Sequence, residues 1–153
     1  MKMILLCLAA TLSLALADDD ESKRLPEGAG KDVVIKICNE CHGVENLRKM
    51  RLSREEWQDK VGDMMDRGAQ ATETEVEAIV SYLDTHFGKD SKVWINTAPL
   101  GELKSVVGLS VDECKALIAY REANGSFKQW GDLLKVPGVD AKKLEAKKEI
   151  IAF

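Results

Sequence analysis

Histidine is nearly absent from this chain, which has His42 and His86 and no others. No nucleophile-base grouping stands out around them, so hydrolytic and acyl-transfer chemistry has nothing to rest on. Long apolar runs are missing too. The longest, MILLCLAATLSLALA behind Lys2, offers about 15 residues where a membrane span needs about 20. It ends in ALA ahead of DDDE, the pattern of a secretory signal peptide over residues 1–17, cleaved after Ala17. An exported protein with no span in the mature chain is therefore expected, in the periplasm or beyond. Beyond the signal there is no even set of cysteines: Cys38, Cys41 and Cys114 are an odd number, which a simple disulfide framework does not explain. No segment alternates with a strand's period of two, so the expected fold class is all-α.

What is present divides the remaining chain, about 136 residues, into parts. Residues 18–25, DDDESKRL, read as a flexible acidic arm. Residues 18 to 94 carry 12 basic and 18 acidic side chains against 9 and 8 in residues 95 to 153, and the polar connector GKDSK lies near that shift. Two domains are expected, over 26–91 and 92–153. In the first, Ser53 with Glu56 and Thr72 with Glu75 are capping boxes that open two helices. The first of these carries Trp57, Val61, Met64 and Met65 on one stripe, with Gly68 at its end. The second carries Val76, Ile79, Val80, Leu83 and Phe87 and is closed by Gly88.

KICNECHGVEN, residues 36–46, sets two cysteines two residues apart with a histidine directly after. A zinc site needs further ligands, and only Cys114 and His86 remain to supply them. A thioredoxin-like dithiol expects a βαβ surrounding that is missing. Covalent haem needs what is here: thiols of Cys38 and Cys41 to add across the porphyrin vinyls and an adjacent imidazole, His42, for the iron. The reading taken is one covalent haem c, with Met64 or Met65 on the opposite face of the iron and Met50 or His86 as remoter candidates. Otherwise His86, at a helix C-terminus, suits a positive charge at the solvent edge.

Through LPEGAGKDVVIKICNECHG, RLSREEWQDKVGDMMDRGA and TEVEAIVSYLDTHFG, residues 26 to 88 resemble a short monohaem cytochrome c. The resemblance implies a small cytochrome c fold in which the helix ahead of the cysteines crosses the closing helix. It also selects Met64, seven residues after Trp57 and ahead of Arg-Gly-Ala, as the second axial ligand.

The second part holds an internal repeat of about 30 residues, ELKSVVGLSVDEC (102–114) laid on DLLKVPGVDAKKL (132–144), which suggests two similar helical hairpins about a pseudo-twofold axis. INTAPLGELKSVVGLSVDECKALIAYREANGSFKQWGDLLKVPGVDAKKLE resembles the double helix-hairpin-helix domain of extracytoplasmic DNA-uptake (competence) proteins. In that family the hairpin reads Gly, aliphatic, Gly, and its amides with the following helix N-terminus grip a phosphate. Here the candidate hairpins are Gly108, Leu109, Ser110 and Gly138, Val139, Asp140. Ser110, in a capping box with Glu113, and Asp140, an N-cap, stand where the second glycine is usual and would occupy amides that a phosphate needs. Nine cations against eight acids is also a small surplus for binding nucleic acid. Lys142, Lys143, Lys147 and Lys148 read as a solvated face of a terminal helix, and Cys114, Tyr120 and Phe127 as core.

The expectation is therefore an exported, non-enzymatic electron carrier. Its redox partner would present a basic patch to the acidic haem domain, and its hairpin domain would serve for docking. The alternative is an extracytoplasmic DNA-binding protein in which the haem is a redox sensor or structural element.

Overall fold

A computed structural model describes residues 25–153. The expected signal peptide and residues 18–24 of the arm lie outside that range. Leu25, assigned above to the arm, is buried in the first of two apolar clusters.

The fold is all-α. The first cluster is built by α1 (Lys31–Cys38), a 3₁₀ turn at Leu47–Lys49, α2 (Arg54–Asp66) and α3 (Glu73–Phe87). Both capping boxes form. Ser53 N donates to Glu56 Oε2 at 2.7 Å and Thr72 N to Glu75 Oε2 at 2.9 Å, while each N3 amide donates back to the cap hydroxyl. Orphan donors at both helix starts are thus satisfied within four residues of sequence. Trp57 and Val61 from α2 and Ile79, Val80, Leu83 and Phe87 from α3 are buried, as the stripes require. Tyr82 is buried as well, one position off the expected face.

Polar ends of the large side chains close this core. Trp57 Nε1 donates to the Phe87 carbonyl at 3.1 Å, and the Leu52 amide donates to the same oxygen at 3.2 Å. That carbonyl, at the end of α3, has no partner inside its own helix. Tyr82 donates its hydroxyl to the Pro26 carbonyl at 2.7 Å, and burial pushes its pKa up to about 12. Gly30, at φ 94°, starts α1 so close to α3 that a Cβ there would lie 2.7 Å from the Ala78 carbonyl.

The second cluster draws on β1 (Val93–Trp94), α4 (Leu100–Glu102) running into a π turn at Leu103–Val107, α5 (Val111–Asn124), α6 (Trp130–Leu133), α7 (Ala141–Glu145) and β2 (Ile151–Ala152). The two short strands pair in parallel, Val93 opposite Ile151 and Trp94 opposite Ala152. Two-residue strands carry no alternation, which is why the sequence gives no sign of them. The repeat shows in the burial: Leu103 and Leu133, Val106 and Val136, and Cys114 and Leu144 occupy corresponding buried places. Gly108 and Gly138 both take positive φ, 85° and 80°. Gly125, at φ 84°, ends α5, and the Tyr120 ring stacks on buried Phe127 at 5.8 Å.

Between the clusters lies a buried ion group. Glu102, 2% exposed, accepts from Arg48 Nε at 2.8 Å and from Arg51 Nη2 at 2.5 Å. Lys49 lays its side chain across Gly101 so closely that a Cβ there would meet its Cε at 2.7 Å. Among the described residues, no helix is long and apolar enough to cross a membrane.

Candidate functional site

Two hairpins, one turned by Gly108 and one by Gly138, are the best-formed candidate site. The π turn ends on Gly108, whose left-handed backbone sends the chain through buried Leu109 to Ser110 and into α5. Ser110 is extended, at φ −68° and ψ 165°, the usual N-cap conformation. In the second copy Gly138 leads through half-buried Val139 to Asp140, which caps α7 by accepting from the Lys142 amide at 2.9 Å.

One carboxylate ties the hairpins together. Glu113, 7% exposed, accepts from the Ser110 amide at 2.6 Å and from Lys143 Nζ at 2.7 Å, and its other oxygen accepts from the Asp140 amide at 3.0 Å. The bond from Lys143 and the bond from the Ser110 amide hold its pKa down to about 2. The sequence marks Glu113 as a local capping partner. Its reach to Asp140, 27 residues on, is a tertiary contact with no signature of its own in the sequence.

The hairpin amides thus divide into two groups. Those of Ser110, Glu113, Asp140 and Lys142 are engaged by protein side chains. Among the described residues, the amides of Val111, Asp112, Gly138, Val139 and Ala141 have no hydrogen-bond partner. Val111 and Asp112 are exposed at the first turn of α5, where unsatisfied N–H groups and the helix dipole favour an anion.

The lysines expected to form one helical face are dispersed. Lys143 is committed to Glu113, and α7 ends at Glu145. Lys148 pairs with Glu145 at 3.3 Å and lies over the Trp130 ring at 5.0 Å, and Lys147 turns to the junction between the clusters. Cys114 is fully buried, and burial, followed by the charge of Glu113, raises its thiol pKa.

The other sequence-derived site occupies the end of α1 and the loop after it. Cys38, half-buried against the first core, has its thiol pKa raised by desolvation. Cys41 and His42 are exposed, and His42 Nδ1 lies 2.9 Å from the carbonyl of the adjacent Gly43. Met65 packs on the same core as Cys38, whereas Met64 is partly exposed on α2. His86 packs against Tyr82 with tilted rings, centroids 4.5 Å apart and planes at 48°, and burial lowers its pKa. The positive charge expected for it at the end of α3 is therefore disfavoured.

Residues 88–151 match the family model described as the helix-hairpin-helix motif. ComE operon protein 1 of Bacillus subtilis strain 168 is 44% identical over 64 residues, which are 42% of this chain and 31% of that protein. An uncharacterized protein of Haemophilus influenzae strain Rd is 36% identical over 63 residues, 40% of this chain and 56% of that protein. The chain thus spans about a third and a little over half of the lengths of these relatives. No solved structure matches it significantly.

These findings correct the expectation of a haem-bearing electron carrier. The family match is to the hairpin motif, and neither matched relative is named as a cytochrome. Among the described residues no group of three or more His, Cys, Asp and Glu side chains is placed to hold a metal ion. Haem c as a cofactor, electron transfer and a basic redox partner are set aside together; the matched segment, residues 88–151, does not reach Cys38, Cys41, His42, Met64 or Met65. What the comparisons identify, over residues 88–151, is a helix-hairpin-helix domain.

Proposed function

We propose that this protein binds duplex DNA outside the cytoplasm through its paired hairpins, as a binding protein and not an enzyme. The observation that carries the reading is the first hairpin: Gly108 turns the chain so that the open amides of Val111 and Asp112 face solvent at the head of the 14-residue helix α5. A DNA phosphate there accepts from the backbone and meets the positive end of the helix dipole. Similarity to ComE operon protein 1, and the likeness of the hairpins to those of extracytoplasmic DNA-uptake proteins, support both the ligand and the exported location.

Backbone contacts carry no sequence information and release few counterions, so binding is expected to be sequence-tolerant with a shallow salt dependence from the hairpins themselves. The second hairpin contributes less, because its Asp140 amide is committed to Glu113 and its helix α7 has five residues against the 14 of α5; an acidic side chain, Asp112 or Asp140, stands at each.

Val111→Pro is a selective probe. Proline is favoured at the first helical position, Ser110 already has the extended conformation that a residue before proline needs, and only the open N–H is lost. With the full chain and a short labelled duplex, the variant is expected to bind about tenfold more weakly, the loss of one hydrogen bond to a charged acceptor. No retardation of duplex by the parent protein at low salt would sink the reading.

A further inference from the structure

Residues 95–153 are poorly supplied with cations, at nine against eight acids, yet the chain has a cationic cleft beside the hairpins. A cleft of about 420 Å³ opens between the two apolar clusters. Lys49, Arg51 and Lys89 line it from the first cluster's side, and Ser105, Lys147 and Glu149 from the second. Arg51 is paired with Glu102, and Lys89 with Glu56 at 3.0 Å. Lys49 donates to the neutral amide of Asn46 at 2.8 Å, and among the described residues Lys147 has no ion-pair partner. Two ammonium groups on opposite walls therefore keep their charge available, against the one carboxylate of Glu149. The walls are held: Lys49 is laid across Gly101, and Lys92 of the connector donates to the Glu149 carbonyl.

The cleft is continuous with both hairpins along the chain. Ser105 precedes Gly108 by three residues in the π turn, and Lys147 follows α7, which starts beside Asp140. Five helical residues span only about 8 Å. That is a few phosphates along a strand carrying one charge per about 3.4 Å of axis.

We propose that this junction cleft is a second phosphodiester-binding site, taking the backbone of the same nucleic acid that the hairpins hold, with Lys49 and Lys147 as its principal contacts. The proposal rests on the DNA-binding reading above and deepens it. The first cluster then contributes the ammonium of Lys49 to a site whose other principal contact, Lys147, comes from the hairpin domain.

The test uses the full chain, backbone amide NMR during titration with a short duplex, and DNA affinity against salt for the parent and for a Lys49→Gln, Lys147→Gln double variant. Shifts at Ser105, Ala146 and Lys147 as well as at Val111 and Asp112 are expected. The variant should lose severalfold in affinity, with a log–log salt slope shallower by up to about 2. A Lys49→Arg, Lys147→Arg variant, which keeps both charges, should restore slope and affinity and so separates charge from folding. Shifts confined to the hairpins with an unchanged slope would overturn the cleft and leave the hairpin reading standing. Shifts confined to the cleft would do the reverse, and no shifts anywhere would overturn both.

Discussion

The core that runs from Leu25 to Phe87 is built mainly on two long helices, α2 and α3, whereas the core from Val93 to Ile151 has one long helix, α5, and otherwise short elements. In the first, α2 and α3 have 13 and 15 residues, and Trp57 and Tyr82 seal the ends of the packing. In the second, beside the 14-residue α5, helices α4, α6 and α7 have three to five residues each, too few to stand without tertiary support. Polar staples join these short pieces. Asn96 exchanges two hydrogen bonds with the backbone of Phe127, at 2.7 and 3.0 Å, Arg121 donates to the Ile95 carbonyl at 2.6 Å, and Glu113 holds the Asp140 amide. Short helices leave the surface of a domain rich in turns and helix starts, which is where phosphate contacts are made, and the staples supply the order that longer helices would have given.

The largest expected effect joins the two regions. Replacing Glu102 with Ala leaves the Arg48 and Arg51 side chains facing each other without the buried carboxylate they share, and should destabilise the protein by about 3–5 kcal/mol in urea unfolding. An unchanged midpoint would show that the two cores do not lean on this contact.

Next comes the staple account itself. Asn96→Ala removes both bonds to Phe127 and strands buried backbone groups, at an expected cost of about 1–3 kcal/mol. A neutral result would mean that these two bonds do not hold the second core together.

The smallest effect is read from pH. Folding holds the Glu113 carboxyl well below its ordinary value of 4.5, at about 2, so the unfolded chain takes up the proton first. The stability it contributes is present above pH 4.5 and fades as pH falls toward 2. Glu113→Gln should flatten thermal stability against pH in that window. A residual slope is expected from Glu75 in the first region, held to about 2 by the Thr72 amide and by Lys36. A variant as acid-sensitive as the parent would count against the bridging role.

The same contrast decides how much could be read from the sequence. The capping boxes, the α2 and α3 stripes, the hairpin glycines and the repeat are local patterns, with cause and effect a few residues apart. Asn96 with Phe127, Glu113 with Asp140 and Glu102 with the two arginines act across 27 to 54 positions, and nothing near any of them marks the partner. The partner of the Tyr82 hydroxyl, the Pro26 carbonyl, is as remote, 56 residues back and ahead of α1. The expectation of haem and electron transfer rested on a local motif at Cys38, Cys41 and His42, and the comparisons, which match a hairpin motif over residues 88–151, point to a different function. For the candidate site, positions 108–110 and 138–140 were legible, while the division of their amides into engaged and open required the fold.

The parallel pairing of Val93 with Ile151 and Trp94 with Ala152 bears on timing. It joins the two ends of the hairpin domain, so the second core cannot be completed until the whole intervening segment is available, however early α5 forms. Contacts of such long range fold slowly and leave apolar faces uncovered in the interval. The first core has its pieces in hand earlier when the chain is delivered from its N-terminus. A protein that emerges in that order would present a finished first half, with the Arg48 and Arg51 socket waiting, onto which the hairpin half assembles.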